Sequence, residues 1–519
     1  MDALADSLKV IADWITQHIT MWALIATGLF LTAVTRGVQV RHLPTMIRQV
    51  ASSRSGAAGG ISSFQAFAIS LAARVGVGNV FGVAAALIYG GPGAVFWMWV
   101  VALVGMATAF FEATLAQIFK VRAPDGSFRG GPAFYMARGM GGRGGRAMAG
   151  VFAVITLVTC GFIITSVQSN AVAGTLVAAL GGGEGSALPG FGGLSAAQLV
   201  VAGLVLVLTA VVVFGGIRAV ARVTEWMAPI MALIYIVLVA FICLMNLGEF
   251  LHVIGLIISS AVAPRPLVGG LGGGVLAAVV NGTKRGLFSN EAGQGTAPNA
   301  AATATVAHPV QQGLIQSLGV FVDTIVVCTA TAFVILIAGP AVWGAEGANP
   351  STLTTLAIAH GLGGWTVLPM AVLIFVLAYS SIIAAYVYTD VNMDYLTGGR
   401  RWASWTVRVV SVASATAGAV LSLDVVWNAV DIAMAVMTLT NLVALVRLYR
   451  WGTGALHDYE AQVRAGAAEP VFRGRDNPRL PGDVPGEVWS DDDGRAGAPS
   501  VPPAAPADPP SSASTTAKD

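Results

Sequence analysis

Apolar residues run along this chain in long blocks, and polar residues gather between them. A helix that crosses about 30 Å of hydrocarbon needs about 20 mostly apolar residues. Eleven blocks meet that length. The first covers 21–38; the others centre on 64–89, 93–119, 149–178, 197–214, 227–247, 275–306, 311–338, 366–390, 405–422 and 427–448. After about Trp451 the pattern turns polar, and the end is rich in Pro, Ala, Ser and Asp. Such a composition buries too little apolar surface to offset chain entropy. A solvated tail is expected there, disordered beyond about Asp491.

Lys and Arg favour cytoplasmic loops, which tests the count. Arg36, Arg41, Arg48 and Arg54 follow the first block; Lys120, Arg122, Arg129, Arg138, Arg143 and Arg146 follow the third. Arg218 and Arg222, then Arg400 and Arg401, fill later loops of the same parity, and Arg447 and Arg450 begin the tail. The intervening loops 90–92, 180–196, 339–365 and 423–426 have no Lys or Arg, and 248–274 has only Arg265. With eleven helices every basic loop falls on one side. The N-terminus is then outside, the C-terminus cytoplasmic, and the protein a multi-pass protein of the cell membrane.

Composition narrows the class. Charged residues make up 10% of the chain, against about 25% in soluble proteins, too few to cover a surface in water. A net charge of +2 gives no bulk attraction to nucleic acid. The start, with Asp2, Asp6, Lys9 and Asp13, lacks the basic-then-apolar order of a cleaved signal peptide. Cys160, Cys243 and Cys328 lie in apolar blocks at no metal or redox spacing and read as small core residues. No HExxH, GxSxG or nucleotide-binding loop occurs, so no enzyme class is supported.

Two blocks are interrupted at membrane depth. In the second, the run from Ala72 through Arg74, Val75, Gly76, Val77 and Gly78 to Asn79 brings two glycines, a cation and an amide. In the seventh, Gly282 to Gly295 holds Lys284, Arg285, Phe288, Ser289, Asn290 and Glu291 among four glycines. Each helical glycine costs roughly 1 kcal/mol, and a charge at the bilayer centre about 2.5–3.5 kcal/mol or more. Unwound backbone survives there only when it is buried in protein or lines a cavity. Close helix packing is the plainer account of either glycine cluster alone. The pair divides the chain evenly: residues 63–247 hold five helices and 275–449 five more, each set led by its broken helix. Odd-numbered repeats must have opposite orientation, which is the pattern of an inverted-repeat transporter with a midplane site at its breaks. Residues 1–62 then form a preceding segment with one extra helix, 248–274 an external connection, and 450–519 a cytoplasmic tail. A half-helix N-terminus offers free N–H donors and partial positive charge to a carboxylate. Carbonyls and hydroxyls are hard donors suited to sodium.

At these residues the chain resembles the alanine or glycine:cation symporter family, also called sodium:alanine symporters, over about residues 20–450. The resemblance is densest at Ser63-Phe64-Gln65-Ala66-Phe67, the Ala72–Asn79 run, the stretch 90–99, Arg129-Gly130-Gly131-Pro132-Ala133, and the stretch 284–300. It implies an all-α fold of the leucine-transporter type, with a 5+5 inverted repeat and broken first and sixth core helices. It also implies alanine or glycine as substrate and sodium as coupling ion. The sodium site it implies uses backbone carbonyls near Ala72 and Val75, the Leu377 carbonyl, and the hydroxyls of Ser380 and Ser381. The alternative for these serines is a bond back to their own helix.

The substrate carboxylate is expected at the amides of Val77 and Gly78, with Gly76, Val77 and Gly78 bringing backbone close to the ligand and Asn79 supporting the break. Gln168, in a polar cluster of the fourth block, is a substrate contact or an interhelical bond. Phe288, Ser289 and Ser381 shape the pocket. Asn290 and Glu291 bind an ion or hold the loop, the loop role being favoured for Glu291. Arg74 departs from the threonine of many relatives and calls for a partner, Glu112 or Glu291. Asp323 and Asp431 lie in apolar blocks; Asp323 reads as a cap or ion-pair member near the start of its helix. Lys284 and Arg285 read as interfacial, and Asp390 as structural. A proton-coupled symporter using Glu291 or Asp323 is the nearest alternative. A channel is disfavoured by the paired breaks.

Overall fold

The computed structural model describes residues 2–52, 61–124, 126–179, 194–262, 274–421 and 424–490. Arg54, Arg265 and the stretch from Asp491 onward, on which expectations were placed, lie outside the described residues. Among the described residues the regular structure is helical, apart from a two-stranded hairpin that pairs Val121–Arg122 with Phe128–Arg129.

The helices that position the site are α1 (Val10–Val34), α2 (Ser63–Arg74), α3 (Gly78–Gly90), α4 (Gly93–Ile118), α5 (Gly142–Ala179), α6 (Ala196–Val213), α7 (Gly216–Met245), α8 (Leu247–Val262), α9 (Val275–Asn290), α10 (Ala297–Ala301), α11 (Pro309–Ile337), α12 (Pro350–Leu362), α13 (Gly364–Thr397), α14 (Arg401–Val420) and α15 (Asp424–Arg464). Eight of them are long and apolar enough to cross a membrane, and nine if the bent pair α2–α3 is one span. The expected eleven also needs α9, which has 16 residues including Lys284 and Arg285, and α14, which carries Arg401 and Arg408. The first helix extends well before residue 21, because the stretch Asp2–Ile15 runs into α1.

Local signals account for the start of α2. Ser62 Oγ accepts from the Gln65 amide and Gln65 Oε1 accepts from the Ser62 amide, both at 3.1 Å. This reciprocal cap satisfies two donors that a helix start leaves free. The chain then bends by 46° between α2 and α3. In the seventh block the expected interruption at 282–290 is absent. Helix α9 is continuous from Val275 to Asn290, and the chain turns only at Glu291. Gly282 lies where α9 crosses α4: a Cβ there would sit 2.8 Å from that of Trp97. Close packing, the plainer account, holds for Gly282. Lys284 is paired rather than free. Its Nζ pairs with Asp13 at 2.7 Å and Asp431 at 2.8 Å, and its side chain is 9% exposed.

Two helices fall in stretches expected to be connections. Helix α8 packs along α4, with Trp97 Nε1 donating to the Ala261 carbonyl at 3.4 Å. Helix α12 reaches down to the first break, where Thr354 Oγ1 donates to the Val80 carbonyl at 3.2 Å.

As far as Ser490 the tail is largely exposed, as expected, yet it is docked on the bundle through a few buried residues. Helix α15 continues to Arg464, and the chain then folds back under the bundle. The Phe472 amide donates to the Ala307 carbonyl at 3.0 Å, and Trp489 Nε1 to the Gln117 carbonyl at 3.0 Å. Phe472 is fully buried between His308 and Trp489, whose ring centroids lie 5.2 and 5.1 Å away. Lys120 Nζ sits 5.0 Å above the Trp489 ring. Truncating a buried tryptophan costs about 3–5 kcal/mol. Trp489→Ala is therefore expected to undock residues 465–490. Limited proteolysis of the full chain should cut there about tenfold faster or more, without loss of the membrane core. Unchanged protection would mean that the rest of the segment holds itself in place.

Candidate functional site

At the first break the last carbonyls of α2 have no partners in their own helix. Two hydroxyls of α13 meet them. Ser380 Oγ donates within reach of the Ala72 carbonyl (3.2 Å) and the Leu377 carbonyl (2.7 Å). Ser381 Oγ lies 2.9 Å from Ala72 O, 3.2 Å from Ala73 O and 3.2 Å from Leu377 O. Ala72, Leu377, Ser380 and Ser381 are all buried. Val75 ends the helix with φ −78° and ψ 79°, which turns its carbonyl out of the helical direction. A small group of neutral oxygens thus converges between α2 and α13.

The next three residues form the loop itself. The Val77 amide donates to Gln168 Oε1 of α5 at 3.3 Å, and the Gly76 amide to Asn79 Oδ1 at 2.9 Å. Space is tight. A Cβ on Gly76 would collide with Ser381 Oγ, and one on Gly78 would lie 3.1 Å from the Phe288 ring and 3.3 Å from Ser289 Cα. Gly76 and Gly78 are therefore the positions at which α13, α5 and α9 approach the backbone of the break.

Asp323 joins the two breaks. It is fully buried in the middle of α11, and is neither a cap nor an ion-pair member. Its Oδ1 accepts from Asn79 Nδ2 at 2.6 Å, and its Oδ2 from Ser289 Oγ and Thr324 Oγ1, each at 2.8 Å. Three donors fill the lone pairs of one carboxylate, and two come from opposite sides of the site.

The second break is a turn held by carboxylates. Glu291 adopts φ +56°, and Gly293 and Gly295 have φ of +87° and +84°, a region that glycine enters without strain. Glu291 Oε2 accepts from Thr296 Oγ1 at 2.8 Å and Tyr388 at 3.3 Å. Asn290 Oδ1 accepts from the Ala292 amide at 3.0 Å, while its Nδ2 donates to Thr324 Oγ1 at 3.2 Å. Glu112 of α4 holds the turn from outside. It accepts from the amides of Gly293 (3.1 Å) and Gly295 (2.8 Å), and from Asn441 Nδ2 (2.6 Å). Sequence reasoning gave Glu112 only as a possible mate for Arg74. Arg74 makes no direct ion pair with Glu112 or Glu291 among the described residues, although its charge acts on both. Arg74 is 1% exposed and donates through Nη1 to the Gln316 carbonyl and side chain, at 3.1 and 3.3 Å.

A cavity of about 630 Å³ approaches the breaks from the end opposite the tail. Phe288, Asn170 and Arg285 form part of its wall, with Asn349 and Thr352 of the α12 region above them. Phe288 thus stands between this cavity and Gly78.

The profile of the sodium:alanine symporter family matches residues 1–474. The chain belongs to this family. Among curated members, the amino-acid carrier protein AlsT of Bacillus subtilis (strain 168) is 40% identical over 494 residues, covering 95% of this chain and 99% of AlsT. The sodium/alanine symporter AgcS of Methanococcus maripaludis is 35% identical over 433 residues, covering 82% of this chain and 90% of AgcS. Among solved structures, MhsT in complex with L-phenylalanine superposes with a TM-score of 0.52 at 16% identity, over 76% of this chain and 91% of MhsT. That likeness places this family member among proteins of the leucine-transporter fold. Secondary transport of amino acids is the activity that family membership supports, and no catalytic activity is indicated. Family membership and the apolar helices together make it a membrane protein.

Proposed function

We propose that this chain is a sodium-coupled symporter that carries a small amino acid, alanine or glycine, into the cell by alternating access. The observation that carries the reading is the oxygen cluster of Ala72, Leu377, Ser380 and Ser381 beside the unwound Gly76–Gly78 backbone. Neutral carbonyl and hydroxyl oxygens suit sodium as cargo, with Val75 as a further carbonyl. When an ion enters, both serine hydroxyls turn their protons away and present lone pairs.

The substrate carboxylate takes the place that Gln168 Oε1 holds at the Val77 amide. Gly76, Gly78 and Ser381 lie closely packed around that place, which suits a small substrate, with Phe288 as the outer wall and Ser289 and Asn79 bracing it. Sodium then bridges the end of α2 and the middle of α13 next to the substrate, so each ligand completes the other's site. Asn290, Glu291 and Arg74 belong to the supporting frame.

The topology is read as eleven spans, with 63–247 and 275–449 as inverted repeats and α1 added in front. Arg41, Lys120, Arg129 and Arg138 gather with the tail at one end: Arg41 pairs with Glu460 at 2.9 Å and Arg138 donates to the Pro485 carbonyl at 2.5 Å. By the positive-inside rule that end is cytoplasmic, the N-terminus lies outside, and the 630 Å³ cavity opens outward. One inward sodium gains about 2.3 kcal/mol per 100 mV and about 1.4 kcal/mol per tenfold gradient. At about 150 mV and a tenfold gradient this sustains roughly thousandfold accumulation.

The test is uptake of radiolabelled L-alanine and glycine into proteoliposomes, with an inward sodium gradient or with choline at equal potential. Uphill accumulation only with sodium is expected. Equal uptake in choline would remove sodium and favour protons, for which Asp323 and Glu291 are the buried carboxylates at hand. No uptake of either amino acid by folded protein would remove the substrate assignment.

A further inference from the structure

A cavity of about 490 Å³ lies at the basic end, away from both breaks. The β-hairpin, the turn between α6 and α7, the last turns of α13 and the first turns of α14 enclose it. Its charge is lopsided. The guanidinium groups of Arg129, Arg218, Arg400, Arg401 and Arg408 line it, against the carboxylates of Asp390 and Asp394. Both carboxylates are already engaged: Arg129 Nε meets Asp394 at 2.7 Å, and Ser404 Oγ donates to Asp390 at 3.0 Å. Positive charge is left in excess.

Tyr386 is 1% exposed and lines the cavity, and its hydroxyl faces the Arg408 side chain. Neither that hydroxyl nor the buried Arg408 Nε makes a hydrogen bond of good geometry among the described residues. Buried polar groups left so are costly, and an anionic oxygen answers both. Arg408 is fixed in place at the rim, donating through Nη1 to the Phe214 carbonyl at 3.1 Å and lying 5.7 Å over the Trp405 ring.

Immediately beyond Arg408 the surface becomes apolar. An open groove of about 500 Å³ runs between α6 and α14, from Phe214 and Val409 along to Val420. Eleven residues of helix rise about 16 Å, close to the length of an acyl chain. Phe214 and the Arg408–Val409 step join groove to cavity.

We propose that cavity and groove together bind one anionic phospholipid of the leaflet at the basic end. Its phosphate oxygens are taken by Arg408, Arg401 and Tyr386, and one acyl chain lies along α14. A free phosphate fills only the cavity, and a zwitterionic lipid leaves the excess charge unmatched. Basic pockets between membrane helices on the cytoplasmic side are the general setting for such headgroups.

The test uses the full chain in detergent, titrated with phosphatidylglycerol, with phosphatidylcholine of the same chains, and with sn-glycerol 3-phosphate, bound lipid being read by native mass spectrometry. Phosphatidylglycerol is expected to bind about tenfold tighter than phosphatidylcholine. Arg401→Gln and Arg408→Gln should each weaken it about fivefold. Ala413→Trp fills the groove without touching a charge, and should weaken phosphatidylglycerol while leaving glycerol phosphate unchanged. Because Arg408 also ties down the Phe214 carbonyl, the exposed Arg401 and Ala413 variants decide the matter if Arg408→Gln misfolds. Equal affinity for the two lipids overturns the proposal. So does glycerol phosphate binding as tightly as phosphatidylglycerol, which would make this a phosphate site only.

Discussion

Ser380→Ala is expected to leave the protein folded and to weaken sodium activation of alanine uptake by about 10–100-fold, and Ser381→Ala at least as much. A hydrogen-bond-strength contact to a charged group is worth about 1.5–3 kcal/mol, which converts to that range. Ser380 is the cleaner probe. Its hydroxyl touches the Ala72 and Leu377 carbonyls and Met231 Sδ, none of them in the Gly76–Gly78 loop. At saturating sodium its alanine KM should therefore match the parent. Ser381 lies against Gly76 as well, so its removal should raise alanine KM too. The two serines share acceptors, so the double variant should cost less than the sum. The measurement is initial uptake against sodium concentration in proteoliposomes, with melting temperature as the folding control. An unchanged sodium half-saturation in the double variant would sink the ion site.

The first break was legible because several costs fall on adjacent letters. Two glycines, a cation and an amide in eight residues have no explanation in a continuous helix facing lipid. The 46° bend falls inside that run. The second break, in the seventh block, was legible in kind but not in place. Gly282 and Gly286 read as helix-breaking by propensity alone, yet Gly282 is the thin point at which α9 crosses α4. Tertiary packing outweighs roughly 1 kcal/mol of propensity per glycine. Lys284 looked expensive at depth because its partners, Asp13 and Asp431, are 271 and 147 positions away.

The same limit applies to the supporting frame. Nothing near Glu112 in sequence announces that it will accept two amides from a turn some 180 residues later. The one available signal was negative: a carboxylate in a long apolar block must have donors, and the turn with Gly293 and Gly295 supplies free N–H groups. Charge alone gave Arg74 the carboxylates Glu112 and Glu291 as neighbours, but its direct hydrogen bonds go to the Gln316 carbonyl and amide oxygens. Helices α8 and α12 escaped a search for 20-residue spans because they have 16 and 13 residues. The tail escaped for the opposite reason. Phe472 and Trp489 are sparse anchors in a polar stretch, and only their landing sites on Ala307, Gln117 and Lys120 show that they bind.

Asp323→Asn separates the two coupling ions as well as testing the frame. The amide keeps the size of the carboxylate but offers one acceptor where there were two. Asn79 Nδ2 at 2.6 Å can keep its acceptor only if the new NH2 faces Ser289 and Thr324, whose hydroxyls must then rotate to accept. A strong charge-assisted set becomes a neutral one, at about 1–3 kcal/mol. Asp323→Ala, which leaves Asn79 and Ser289 only the weaker acceptors Cys328 Sγ and, for Asn79, the residue 323 carbonyl, should cost more. Since Asn79 and Ser289 belong to different breaks, either change loosens α3 from α9, and transport should fall at least as far as stability, about tenfold to a hundredfold. The discriminating readout is what remains. If sodium is the coupling ion, residual uptake in Asp323→Asn keeps its sodium dependence, because the oxygens at Ala72, Leu377, Ser380 and Ser381 are untouched. If Asp323 carries a proton, the variant loses pH-driven accumulation yet retains alanine exchange at equal pH, and sodium makes no difference to either. Full sodium-driven accumulation in both Asp323 variants would show that the link between the breaks is dispensable.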